Sequence, residues 1–138
     1  MAAAGAVPVT APCAVEVLQK MDLGAQTAQG HVEALLATVQ ALEPQVQAWA
    51  HFDAAAALAQ ARACDARRQA GERAPLLGVA VGLKDIIDTA EMPTENGTVL
   101  HAGRQPAQDA ALVTRLKQAG AVILGKTVTT ELATYAPG

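Results

Sequence analysis

Two apolar runs and the helical pattern between them constrain this chain most. The first is Gly78-Val79-Ala80-Val81-Gly82-Leu83-Lys84-Asp85, and the second is Ala121-Val122-Ile123-Leu124. Short aliphatic stretches bounded by turn signals predict strands. Between them Asp109 opens a helix with Leu112, Val113, Leu116 and Ala119 as its inward stripe, and Gly120 stops it. Strand, helix, strand is a βαβ-like order, and a connection of this length allows a right-handed parallel crossover. The unbroken apolar second run predicts burial on both faces.

Alternation along the first strand puts Val79, Val81 and Leu83 on one face and Ala80, Gly82 and Lys84 on the other. Small residues at 80 and 82 leave room for a close approach. Lys84 then stands at the strand's C-terminal end, where α/β proteins tend to place chemistry. From the residues alone it could be a general base, a Schiff-base former, an anion holder or a solvated strand end. The segment Met92-Pro93-Thr94-Glu95-Asn96-Gly97-Thr98 follows as a turn-rich loop. It reads equally as a wall of a site or as plain connection.

The N-terminal half reads as helical. Residues 1–13 form a loose lead-in. A helix over about 14–23 carries Val15, Leu18 and Met21 on one face and stops at Gly24. Another over about 28–42 carries Val32, Leu35, Leu36 and Val39, and Pro44 marks its end. Asp53 caps a third, alanine-rich helix reaching Ala70, with Arg67 and Arg68 at its electronegative end and Gly71 as its stop. Three helices thus precede the first strand. The expected layout is α/β: a helical lead over 14–71, a link, and the start of an α/β body over 75–138. A single turn of helix is expected near Thr129 to Leu132.

Composition excludes several classes. A net charge of −3, with Arg67-Arg68 as the one basic pair, argues against a nucleic-acid partner. Cys13 and Cys64 are too few and too far apart for a disulfide framework, so a reduced, cytoplasmic setting is expected. His31, His51 and His101 lack ligand spacing, which disfavours a metal. The opening residues lack the charged and apolar regions of a leader, and no apolar run approaches ~20 residues, so no membrane span is expected. Gly120 to Thr127 matches G-x-x-x-x-G-K-[ST] letter for letter. A phosphate loop needs a strand before it and a flexible turn within it, whereas here a helix precedes and Ala-Val-Ile-Leu fills the interior. Nucleotide binding is rejected on that ground, and no cofactor is expected. The sequence contains no serine.

Together these residues resemble the amidase signature family of amidases and glutamyl-tRNA amidotransferase A subunits. The likeness runs through Gly78-Val79, Val81, Lys84-Asp85, Pro93-Thr94, Gly97, Asp109-Ala110, Val113, Arg115-Leu116, Ala119 to Ile123, Gly125-Lys126-Thr127 and Glu131-Leu132-Ala133. It implies part of a mixed-sheet fold, and a hydrolase that cleaves carboxamide C–N bonds with a serine, a second serine on a cis peptide bond and a lysine. Lys84 occupies the lysine position. The serines belong to a Gly/Ser-rich stretch that in the family begins shortly after the position of Gly138. Ala80 departs from the family's usual proline. The resemblance implies that Lys84 relays a proton from the nucleophile, which requires a neutral amine and hence burial. It also implies a small-molecule amide substrate. Asp85 is expected as a turn or cap residue, and Lys126 as a structural lysine with an exposed ammonium. The competing reading is a non-catalytic remnant or binding module on the same scaffold. Two strands alone would leave an edge and a face open, so self-association or a homo-oligomer is expected.

Overall fold

A computed structural model describes residues 12–134. The expectations for a leader and for most of the lead-in therefore lie outside the described residues. The elements run α1 (Ala14–Asp22), α2 (Ala28–Val46), β1 (Trp49–Phe52), α3 (Ala54–Gln69), β2 (Ala80–Lys84), α4 (Ala111–Gln118) and β3 (Val122–Thr127). Short 3-10 turns at Val99–His101 and Glu131–Ala133 complete the order.

The helices begin where polar side chains satisfy free amides. Thr27 accepts from Gly30 N at 2.9 Å and Asp53 from Ala56 N at 2.9 Å. Asp65 of α3 accepts from Ala28 N and Gln29 N at 2.7 and 3.0 Å, putting a carboxylate on the positive end of α2. Arg67 and Arg68 occupy the last turn of α3, as expected.

Three local expectations need correction. Pro44 does not end α2, which runs on to Val46 and closes with Gln47 at φ 51°. A proline in the last turn forfeits a single N–H, and the Glu43 carboxylate anchors the exit from the helix by accepting from Ala48 N and Trp49 N at 3.1 and 3.0 Å. The buried stripe of α1 is Val17 and Met21, while Val15 is exposed. Gly78 decides this face, because a Cβ there would lie 3.0 Å from Met21 Sδ and 2.7 Å from Ala28 Cβ. In α4, Val113 is buried but Leu112 is exposed, and Asp109 does not cap the helix. Its carboxylate instead accepts from Ala90 N and Lys117 Nζ, both at 2.8 Å.

The sheet is mixed, in the order β1-β3-β2. β2 and β3 pair in parallel, as the crossover predicted. A strand, β1, stands between α2 and α3, so two helices and not three precede the first strand. β1 pairs antiparallel with β3, matching Trp49 with Thr127 and Phe52 with Gly125. This makes β3 the central strand, with its second edge paired to β1, and places β1 and β2 on the outside of the sheet. Val122 to Lys126 are all buried, in accord with the apolar run.

One core packs α1, α2 and α3 onto the sheet through Val17, Met21, Val32, Ala57, Ala61, Leu77, Val122 and Leu124. The other side carries a smaller cluster of Leu83, Met92, Val113 and Ile123. Gly120 joins the two layers: it turns the chain out of α4 at φ 88°, and a Cβ there would lie 2.8 Å from Leu77 Cα.

Candidate active site

The candidate site grows from the C-terminal ends of the two parallel strands. Val81 pairs with Ile123 but Gly82 pairs with Gly125, so Leu124 is an extra residue on β3. The irregularity resets the alternation. Beyond it Gly82 and Gly125 lie side by side, as do Leu83 and Lys126, and Lys84 and Thr127.

On the Gly82 side the small residues are packed against an aromatic ring. The Trp49 ring reaches across from β1, and a Cβ on Gly82 would lie 3.1 Å from Trp49 Cη2 and 3.2 Å from Thr127 Cγ2. Gly125 is tighter still, since a Cβ there would stand 2.4 Å from His51 O. Trp49 is braced by Phe52, with ring centroids 5.0 Å apart. Lys84 leaves the end of β2 on this face with an exposed side chain. The backbone beneath it is held on both sides: Ile87 N donates to Lys84 O at 3.0 Å and Asp85 N to Thr127 O at 2.9 Å. The arrangement presents an exposed primary amine at the end of β2, next to the Trp49 ring, which packs onto Gly82 and Gly125.

The opposite face corrects the expectation for Lys126. Its side chain is fully buried, with 0% exposure, and its ammonium lies inside the molecule. Nζ donates to Thr94 Oγ1 at 2.6 Å and to Pro93 O at 3.1 Å, and lies 3.4 Å from Asp85 Oδ1. The bulge at Leu124 is the physical reason, because it turns Lys126 to the Leu83 side, under the loop that follows β2. Burial pushes the Lys126 ammonium below the usual lysine range, against the opposing pull of Asp85. Asp85 is likewise more than a turn residue. Only 3% exposed, its carboxylate also accepts from Glu95 N at 3.2 Å. Sequence reasoning missed this pair, although a signal was present: a lysine inside a buried strand needs a partner, and a parallel register brings Lys126 beside Leu83-Asp85.

Around this pair the loop is tied by further charges. Arg104 makes a two-pronged contact with Asp88 at 2.6 and 2.9 Å, and its hydrogen bond holds the Asp88 carboxyl below the usual range. Burial would raise Asp109, but hydrogen bonds from Lys117 and Ala90 N outweigh it and hold it low. The G-x-x-x-x-G-K-[ST] segment is a strand with its lysine turned inward, so it offers no phosphate cradle. Asn96 Nδ2 meets His101 Nδ1 at 2.8 Å, while His31 is buried in α2 and His51 lies in β1.

The Amidase family model matches residues 31–137. The chain belongs to the amidase family. It is 45% identical over 121 residues to the A subunit of the glutamyl-tRNA(Gln) amidotransferase of Streptomyces coelicolor, covering 87% of this chain and 24% of that protein. It is 51% identical over 94 residues to the corresponding protein of Roseiflexus castenholzii, covering 68% of this chain and 19% of that protein. Among solved structures it superposes on the peptide amidase of Stenotrophomonas maltophilia with a TM-score of 0.83 and 34% identity, covering 90% of this chain and 26% of the amidase. The chain therefore spans about a fifth to a quarter of the length of these amidase-family relatives. Its mixed α/β architecture is a partial version of their fold. Among the described residues no helix is long and apolar enough to cross a membrane.

Proposed function

We propose that this chain is the lysine-bearing portion of an amidase-signature hydrolase acting on carboxamide C–N bonds, with Lys84 as its proton relay. The observation that carries the reading is the placement of Lys84. An amidase-family chain delivers an exposed amine from the end of β2, next to the Trp49 ring that packs onto Gly82 and Gly125. In the reaction a neutral Lys84 amine takes the nucleophile's proton through a second hydroxyl. The alkoxide attacks the amide carbonyl, the amine leaves with a returned proton, and water or a second amine releases the acyl group. Closure of further protein over Lys84 would supply the desolvation that frees its lone pair. With no serine in these 138 residues, the nucleophile and relay hydroxyl come from another segment. The alternative reading is a scaffold or binding module on the same fold without chemistry.

A chimera separates the two. The chain is fused to the serine-bearing remainder of the Streptomyces coelicolor protein, and the product is assayed for release of ammonia from glutamine and simple carboxamides. Hydrolysis in the chimera, its loss by about a thousandfold or more in Lys84→Ala, and none by the 138-residue chain alone support the relay. An active chimera indifferent to Lys84→Ala would overturn it.

A further inference from the structure

Lys126 is a buried ammonium that the proposed relay does not use. Such a group persists in a protein interior only where partners hold it. It has Thr94 Oγ1, Pro93 O and the Asp85 carboxylate, with Thr89 Oγ1 at 3.5 Å. Each of these belongs to the segment directly following Lys84. Asp85 is in turn fixed at every polar atom group: its N–H donates to Thr127 O, its carbonyl accepts from Asn96 N at 3.0 Å, and its carboxylate accepts from Glu95 N. The carbonyl of Asn96 then accepts from Leu132 N at 2.8 Å, extending the connection to the chain beyond β3.

The geometry points to Lys126 as a positioning residue for Lys84: its ammonium fixes Asp85 and the 93–96 loop, and so the direction in which the Lys84 side chain leaves β2. This rests on the reading of Lys84 as the relay. It adds that the site contains two lysines with separate tasks on opposite faces of the sheet. One is presented to substrate chemistry. The other never meets substrate and holds the first in place.

The test uses the 138-residue chain and needs no turnover. Acylation of the Lys84 amine by an acetyl N-hydroxysuccinimide ester is followed by peptide mass spectrometry between about pH 7 and 10, where the neutral amine fraction rises. Hydrogen exchange of the Glu95 and Asn96 amides is measured alongside. Lys126→Met is expected to shift the pH profile of Lys84 acylation and to speed exchange at both amides by about tenfold or more beyond any change at α3 amides. Thr94→Val, which removes the 2.6 Å contact and the weaker 3.4 Å bond to Ile87 O, moves both in the same direction by less and serves if Lys126→Met does not fold. Asp53→Ala, a destabilising change remote from the pair, moves neither. An unchanged Lys84 profile in Lys126→Met and Thr94→Val, or an equal shift in Asp53→Ala, overturns the assignment. Failure of the relay reading registers separately, as an active chimera indifferent to Lys84→Ala.

Discussion

The two sides of the sheet are held together by different physics. Against one face α1, α2 and α3 press small and aliphatic side chains such as Ala28, Ala57, Ala61, Val32 and Leu77. Alanines let the helices approach closely, and stability there scales with apolar area removed from water. Against the other face a long loop and one short helix form a smaller buried cluster of Leu83, Met92, Val113 and Ile123. That side is completed by polar contacts: Lys126 with Asp85 and Thr94, Arg104 with Asp88, and Lys117 with Asp109. A region without enough apolar area to order a loop can order it with directional bonds, at the cost of losing much when one partner is removed. The end of β2 that presents Lys84 adjoins this polar side.

The largest expected effect breaks the polar side. Lys126→Met leaves the Asp85 carboxylate buried without its cation and should cost roughly 3–5 kcal/mol. Adding Asp85→Asn removes the orphaned charge while keeping an acceptor for Glu95 N, so the double variant should recover most of the loss. Urea unfolding of the two single variants and the double reads this directly. If the losses simply add, the pair is not a unit. The matching cut on the helical side is Leu77→Ala, which empties the space against Gly120 and should cost about 3 kcal/mol by the same measurement. No second change on that face should rescue it short of refilling the volume.

A smaller effect is expected at the cap of α3. Asp53→Ala leaves Ala56 N without its acceptor and should cost about 1 kcal/mol, seen as a modest drop in the urea midpoint.

Acid should distinguish the sides most finely. Burial depresses His31 in α2, so the unfolded chain binds its proton first. The helical side should therefore lose stability as pH falls below about 6.5, the ordinary histidine value. Asp88 and Asp109 are also depressed in the folded chain, but as carboxylates. Their contributions are intact above about 3.9, the unfolded value, and fade as pH drops through the lower folded values. Both pairs are partly exposed, so the second loss is small. Hydrogen exchange followed from neutral to acid pH should show α2 amides loosening first and those of the 88–109 loop later. The reverse order would mean that His31 is not charged at a cost to the fold.

Much of this protein was legible in its sequence because the relevant signals are local. Thr27, Asp53, Gly71 and Gly120 act within a turn of where they stand, and apolar spacing and length set α2, α3 and the two parallel strands. The buried run at Ala121 to Leu124 was enough to reject a phosphate loop, since that argument needs no distant partner. The family likeness marked Lys84 by order and spacing alone. Tertiary structure decided what depends on residues far apart in the chain. Four residues at Trp49–Phe52 carry no strand signal of their own beside an alanine-rich helix, and become a strand because β3 offers an unpaired edge. With β1 in place β3 becomes central, and one extra residue at Leu124 turns Lys126 inward onto Asp85. A lysine's burial is set by the register of its neighbours, and register is a property of strands brought together across some forty residues of intervening chain.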